Sequence, residues 1–479
     1  MKASESASNF NILVHRILHT KAAIAGFFIL GILVSMTVYA FIAVPLESFS
    51  QWNDPGFWID YPKSAAPSWV NSLFPEANLP SHMIFGPSDA KTHNSTFGGI
   101  PTNSFLFNID FTYNSFSTDF IIDYCLRYGN IPPVIQVDVT RPDGESFMIY
   151  NSPLPSSEIS SSEGTSSLTE YCSRIFSTDE TIRDNLQTYT GLFDYSPDLS
   201  SPQKMIFSKL DEEEVLKGNY LFNITYYLFG AEDKVENTKV ILGGKVYGLM
   251  GTDDLRRDLS IGIFWGAPVA LFVGLTAAIS SVIIGMLYGL LAGYKGGRYD
   301  EALMRVNDLV ISLPTFVFLI ILSITIGSSI YLITLFLVIF GWSGIARVAR
   351  SLALQIKNLQ YVEASKLMGE KDIKIILRHI LPQLLPLTFA SIALAVPAAI
   401  LAEATLSFIG LGDPSIPTWG SILHDANTAS AAARGLWWWI LPPGIMIAAA
   451  GVSFALIGSA IESVTNPRGS TAQSKVRFT

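Results

Sequence analysis

Apolar runs bracket a long polar stretch in this chain, and their lengths predict its architecture. No charged residue interrupts the run from Ala22 to Val44, and further apolar runs fall near 262–293, 308–326, 330–348, 386–410 and 437–460. About 20 apolar residues in a helix cross roughly 30 Å of hydrocarbon, so the pattern predicts about six membrane helices. His15, Arg16, His19 and Lys21 precede the first run, a basic flank of the kind held on the cytoplasmic side. A cleavable signal peptide is the competing reading, with a weak small-residue site over Ala40 to Ala43. The run exceeds the apolar core of a signal peptide, about 7–15 residues, and this favours an uncleaved anchor.

From Glu47 to Tyr247 the period changes. Ser104 to Phe111 alternates, Val134 to Val139 and Phe147 to Tyr150 flank the turn residues Arg141-Pro142-Asp143-Gly144, and Tyr220 to Phe229 and Lys239 to Leu242 are β-rich. β-branched and aromatic residues at strand spacing, with turns between them, predict a small β-sandwich. Ser152 to Thr169 reads as a loop, and Ser177, Thr178, Asp179 and Glu180 as a capping-box start for a short helix reaching Leu186. The chain thus divides into a cytoplasmic N-terminus and first membrane helix (1–45), a β-rich insertion (46–247), a helical core with five membrane helices (248–465) and a cytoplasmic tail (466–479). The expected fold class is an all-α polytopic membrane domain with an inserted β-rich extracytoplasmic domain.

Composition sharpens this picture. Hydrophobic residues make up 49% of the 479 and charged ones only 15%, a combination that points to a membrane. The net charge of -9 arises in the insertion, where acids outnumber bases about two to one. Elsewhere Lys and Arg gather in two loops, with Lys295, Arg298 and Arg305 in one and Arg347, Arg350, Lys357, Lys366, Lys371, Lys374 and Arg378 in the next. Such loops stay cytoplasmic, so both termini are expected inside and 46–247 outside. Cys125 and Cys172 are the only cysteines; a disulfide in an oxidising exterior and two unpaired thiols are both open readings. Asn94 and Asn223 head glycan acceptor patterns.

The loop over 355–385 carries the chemistry. It is too polar to cross a membrane, yet Leu359, Val362, Leu367, Ile373, Ile376 and Leu377 fit an amphipathic pair of short helices. Gly369 sits at their break, where a left-handed residue is needed; Lys371 and Asp372 begin the second helix and Pro382 closes it. No GxxxxGK[ST] phosphate loop occurs, so ATP hydrolysis by this chain is not expected.

Glu363-Ala364-Ser365, Gly369 and Ile380-Leu381-Pro382 resemble the EAA loop of ATP-binding-cassette importer permeases. Over nearly all of 245–469 the chain is similar to C-type permeases of the dipeptide/oligopeptide family. Gly251-Thr252-Asp253 with Arg257-Asp258 resembles that family's GTDxxGRD motif, with Arg256 in place of the expected Gly. Gly293-Tyr294-Lys295-Gly296-Gly297 with Asp300 and Met304-Arg305 resembles GYxGGxxD and MR. Leu313-Pro314, Gly341-Trp342, Arg378-His379, the run Ala402 to Gly412, Trp419-Gly420 and Asn466-Pro467-Arg468 follow in family order.

The resemblance implies the type I importer permease fold, with this chain as half of a pore. It also implies coupling to the ATPases through Glu363, Ala364, Ser365, Gly369, Ile380, Leu381 and Pro382. Its implied partners are a second, B-type permease, two ATPase subunits that bind ATP and Mg, and an extracytoplasmic substrate-binding protein. The implied substrate is a di- or oligopeptide, with oligosaccharides or nickel as alternatives within the family.

Glu403 is an acid near the outer end of an apolar helix; it meets substrate or a gate on one reading, and pairs with a neighbouring helix or interfacial water on the other. No catalytic residue is expected, and His379 and His424 lack metal-ligand spacing. Trp437 to Trp439 read as an interfacial aromatic belt. Two other classes compete. A stand-alone receptor with a β-sandwich ectodomain needs only one or two spans, and a secondary transporter should show inverted repeats and buried charges; neither predicts residues 361–382.

Overall fold

A computed structural model describes Arg16 and residues 19–129, 131–155, 169–230 and 232–465. His15, most of the Ser152 to Thr169 loop, the Asn466-Pro467-Arg468 match and the 466–479 tail lie outside the described residues. The chain forms two compact units, one of Asp54–Ser260 and one that joins the N-terminal residues to Asn53 with Ile261 onward. Helix α1 (Lys21–Ala43) opens the second of these, its first turn capped by the Thr20 hydroxyl accepting from Ala23 N.

The Asp54–Ser260 unit is built on two antiparallel sheets. Its strands are β1 (Met83–Phe85), β2 (Ala90–Phe97), β3 (Ile100–Phe111), β4 (Phe120–Tyr128), β5 (Val134–Thr140), β6 (Ser146–Pro153), β7 (Thr169–Phe176), β8 (Gly218–Tyr227) and β9 (Lys234–Leu242). The sheet orders are β1-β9-β4-β7 and β2-β3-β8-β5-β6. Alternation places Phe105, Phe107, Ile109 and Phe111 of β3 and Phe222, Ile224 and Tyr226 of β8 inward, where they meet Phe120, Ile122, Tyr124 and Leu126 of β4 in one buried cluster.

The β5–β6 hairpin turns at Arg141 to Glu145, with Gly144 at φ +92°. The Arg141 side chain is buried there, donating to Ser208 O at 2.6 Å and pairing with Asp143 at 2.8 Å, a role its place in a turn did not suggest. Cys125 and Cys172 face each other across β4 and β7 and are bonded to one another. Helix α2 (Glu180–Gln187) is capped by Asp179, whose carboxylate accepts from Thr181 N at 2.9 Å; this replaces the expected Ser177 capping box, because an Asp one residue before the helix reaches its first free amides directly. Helix α3 (Pro202–Phe207) closes one end of the core.

The GTDxxGRD-like segment is a hydrogen-bonded turn. Thr252 Oγ1 donates to Pro62 O at 2.7 Å and accepts from Ala65 N, while the buried Asp253 binds Arg257 N and Nε at 2.9 and 2.6 Å. Arg256 holds φ +67°, a conformation glycine adopts freely. Its guanidinium donates to Tyr61 O at 2.7 Å and pairs with Asp119, contacts that a glycine could not make and that offset the backbone cost.

Among the described residues from Leu259 onward, the α-helices are α4 (Leu259–Lys295), α5 (Gly297–Ser312), α6 (Thr315–Ile326), α7 (Ile330–Gly341), α8 (Ser343–Ile356), α9 (Gln360–Leu367), α10 (Asp372–Ile375), α11 (Leu381–Phe408), α12 (Trp419–Thr428) and α13 (Trp437–Thr465). Among the described residues, five stretches are long and apolar enough to cross a membrane: α1, α4, α7 with α8, Asp372–Phe408, and α13. The expected span at 308–326 is instead α5 and α6, bent by 73° at Leu313-Pro314, and counts as a sixth only if the bent pair is one span. Its cause is local. Pro314 cannot continue the hydrogen-bond ladder, and α5 is amphipathic, burying Asp300 and Asn307.

Small residues let these helices touch. On α4, Gly285, Gly289 and Gly293 recur every fourth residue and face the backbone of Trp342, Ala346 and Arg350. Gly26 of α1 meets α13, where the Ser453 hydroxyl donates to Gly26 O at 2.9 Å. The tryptophan cluster divides: Trp437 is exposed, whereas Trp439 is 2% exposed, because helical rotation turns it inward.

Candidate functional site

The segment from α8 to α11 is a compact knuckle. Helix α9 ends in a Schellman motif, with Gly369 N donating to Lys366 O at 3.0 Å and Glu370 N to Ser365 O at 3.2 Å, and Gly369 at φ +81° supplying the left-handed residue. After the break α10 runs into a π-helical turn at Ile376–Ile380 and then into α11 without a stop. The expectation that Pro382 closes the second helix is therefore corrected. Pro382 is the second residue of α11, directly after the π turn, whose wider winding accommodates the proline within the continuous helix.

Two faces of the knuckle differ sharply. Inward, Val362, Ile375, Ile376 and Ile380 pack with Met286 and Leu290 of α4 and with Ala349 and Ala353 of α8. Outward, Leu367 and Met368 are 89% and 81% exposed, and Ile373 and Leu377 are more than half exposed. The amphipathic pattern thus mixes the two faces: of its six apolar positions, Val362 and Ile376 are core, whereas Leu359, Leu367, Ile373 and Leu377 face outward. Met368 escaped sequence reasoning altogether; its signal was adjacency to the turn glycine.

Polar contacts hold the shape. The Ser365 hydroxyl donates to Tyr361 O at 3.0 Å, and Glu370 bridges His379 at 2.9 Å and Lys374 at 3.0 Å. Hydrogen bonds from Lys374 and then His379 hold the Glu370 carboxyl below the usual glutamate range. Asp372 accepts from the Tyr294 hydroxyl at 2.9 Å and from Lys295 at 2.7 Å. At the base, Arg350 makes two bonds to the buried Asp300, at 2.5 and 2.6 Å.

Of the seven residues drawn from the EAA pattern, Glu363, Ala364, Gly369 and Pro382 are exposed, Leu381 is half-buried, and Ser365 and Ile380 belong to the inner face. Glu403 lies elsewhere, buried on α11, where it accepts from the Ser407 hydroxyl at 2.6 Å. It is absent from the lining of a cavity of about 250 Å³ bounded by Ala277, Ser281, Thr315, Gly341, Ala395 and Ala399. Asn94 is exposed on the edge strand β2, whereas Asn223 is half-buried in the central strand β8.

A bundle of long apolar helices crossed by close glycine contacts, with a structured polar knuckle between two of its spans, defines a multi-pass membrane protein. The sequence model of the binding-protein-dependent transport system inner membrane component matches residues 285–469. The dipeptide transport system permease protein DppC of Bacillus subtilis is 37% identical over 219 residues, 46% of this chain and 68% of that protein. The oligopeptide transport system permease protein OppC of the same organism is 32% identical over 46% of this chain and 71% of its own length. A peptide transport system permease protein of Brucella suis, described as putative, is 38% identical over 46% and 73%. The chain belongs to this family of binding-protein-dependent transport permeases, and it is a permease subunit of an ATP-binding-cassette importer.

Proposed function

We propose that the chain forms half of a pore importing di- or oligopeptides and that its knuckle docks on separate ATPase subunits. The observation that carries the docking reading is the outward face: Leu367 and Met368 project from a rigid turn whose inner face is packed into the helix bundle. Exposed apolar side chains on a preorganised knob fit a groove in a partner at low ordering cost. Glu363 and Ala364 lie on the exposed side of the same helix. There the carboxylate is placed to bind partner groups and the small alanine admits close approach, while Gly369 sets the turn. Ser365 and Ile380 act from behind, and Leu381 and Pro382 start the helix that carries the motion inward. Closure of the ATPases, which bind ATP and Mg, then moves the knuckle as a rigid body and switches the pore. This chain has no ATPase role of its own.

The peptide substrate is taken from the names of the relatives, and the partner set of a second, B-type permease, two ATPases and an extracytoplasmic binding protein follows from the same family. The Lys and Arg content of the loops supports cytoplasmic termini, a cytoplasmic knuckle and an extracytoplasmic 46–247.

The test is mass spectrometry of proteins co-purified with the tagged chain in mild detergent, followed by uptake of labelled peptides by the reconstituted complex. Recovery of ATPases and a second permease with peptide uptake supports the reading; recovery of the chain alone, where a control transporter stays intact, sinks it. Gly369→Pro should abolish uptake while leaving membrane insertion unchanged.

A further inference from the structure

We propose that Asp372, gripped by Tyr294 and Lys295, latches the end of α4 to the knuckle, so that helix and knuckle move as one body when the ATPases close. The inference rests on the docking reading above and adds positioning residues to it. Tyr294 and Lys295 are the last two residues of α4, and Asp372 is the first of α10. The aspartate offers one oxygen to the hydroxyl at 2.9 Å and the other to the ammonium at 2.7 Å, so both donors are held by one carboxylate.

Two further contacts fix the same helix end. One and two turns back from Tyr294, Leu290 and Met286 sit in the buried cluster with Val362, Ile375 and Ile376. Beside the latch, Lys357 donates to Gly293 O at 2.9 Å and satisfies a terminal carbonyl of α4. An exposed ion pair is weak in isolation, but here it closes a register that the apolar cluster has already set. At about 1.5 Å per residue, the 37 residues of α4 extend roughly 55 Å, more than the hydrocarbon thickness. A displacement imposed at Lys295 is thus delivered through the membrane along one helix.

The measurement is substrate transported per ATP hydrolysed, with the assembled complex in proteoliposomes. Lys295→Cys with Asp372→Cys removes the latch, and a short bifunctional thiol reagent restores it; Cys125 and Cys172 are already bonded to each other. The double variant should lower the ratio about fivefold, the population shift that an exposed charge pair and one hydrogen bond sustain, and cross-linking should return it toward the wild-type value. A ratio that cross-linking leaves unchanged or lowers further overturns the latch, since the two ends must then separate during the cycle. Tyr294→Phe, which deletes one oxygen, keeps the test open if the double variant assembles poorly: it should lower the ratio, and an unchanged ratio counts against the proposal. Co-purification of the ATPases is scored separately. Their loss from the wild-type complex sinks the docking reading, whereas coupled wild-type transport with an insensitive latch sinks only this inference.

Discussion

The glycine ladder of α4 makes a quantitative demand that substitution can test. A Cβ added at Gly289 would stand 2.2 Å from the Ala346 carbonyl oxygen and 2.7 Å from Ala349 Cβ. Carbon atoms rest about 3.5–4.0 Å apart, so Gly289→Ala must part α4 and α8 by about 1 Å. Neither obstacle is the end of a flexible side chain; one is backbone and the other a Cβ fixed by its own helix. Overpacking of this kind costs about 1–3 kcal/mol, partly offset by the better helix propensity of alanine. The detergent-solubilised complex should therefore melt roughly 2–5 °C lower, read by loss of the monodisperse chromatographic peak after heating. Gly344→Ala is the control: it lies in α8 with nothing within 4 Å, so alanine should be neutral or slightly stabilising. A Gly289→Ala protein melting with the wild type, while Gly344→Ala behaves as stated, would refute the close approach.

Other expectations follow from single contacts. Cys172→Ser opens a loop of 47 residues between β4 and β7, and loss of its chain constraint should cost the β-rich unit about 4 kcal/mol, seen as faster proteolysis within 54–260. Asp413→Ala should cost about 1–2 kcal/mol, because its carboxylate caps the start of α7 through Ile330 N at 3.0 Å while also holding Ser415; Asp413→Asn should recover most of the melting temperature. Burial raises the Asp258 carboxyl above the usual aspartate range against the opposing bonds from Ser260. The native state then holds its proton to higher pH than the unfolded state, so stability falls as pH rises through the native value. Asp258→Asn should melt above the wild type at about pH 8, with a gap that narrows as pH falls toward about 4. A gap that widens on acidification would reverse the assigned sign.

Much of the fold was legible because the two periods are clean. The apolar runs located α1, α4, α7, α11 and α13, and alternation located β3, β5, β6 and β8 with the turn at Asp143-Gly144. Less legible were features set by partners distant in sequence. Nothing local marks Arg141 as a buried residue tying a turn to the carbonyl of Ser208, or explains how Arg256 can stand where the family has glycine; both depend on residues more than 60 positions away. The bend inside the 308–326 run was missed for the opposite reason. A strong local signal, Leu313-Pro314, was present, but mean hydropathy averaged across it and merged an amphipathic helix with an apolar one.

The knuckle shows the limit of periodicity most clearly. An amphipathic pattern identifies a face that avoids water, but it does not say whether that face is covered by the same chain. From α9 to the π turn the apolar positions divide between the chain's own core, at Val362 and Ile376, and open solvent, at Leu367 and Ile373. Rotation alone does not separate the two sets in advance, because the turn at Gly369 reorients the second helix. What does separate them is the inner cluster: Met286, Leu290, Ala349 and Ala353 come from α4 and α8, and they leave room for only one side of the knuckle. The side chains left outside, Leu367 and Met368 above all, stand apart from that cluster, and apolar area held in water is a standing cost unless a partner covers it. Leu367→Asp tests that argument directly. Its side chain touches no part of the inner cluster, so the chain should melt with the wild type while ATPase subunits are lost on co-purification; a lowered melting temperature with the ATPases retained would assign the residue to the fold instead.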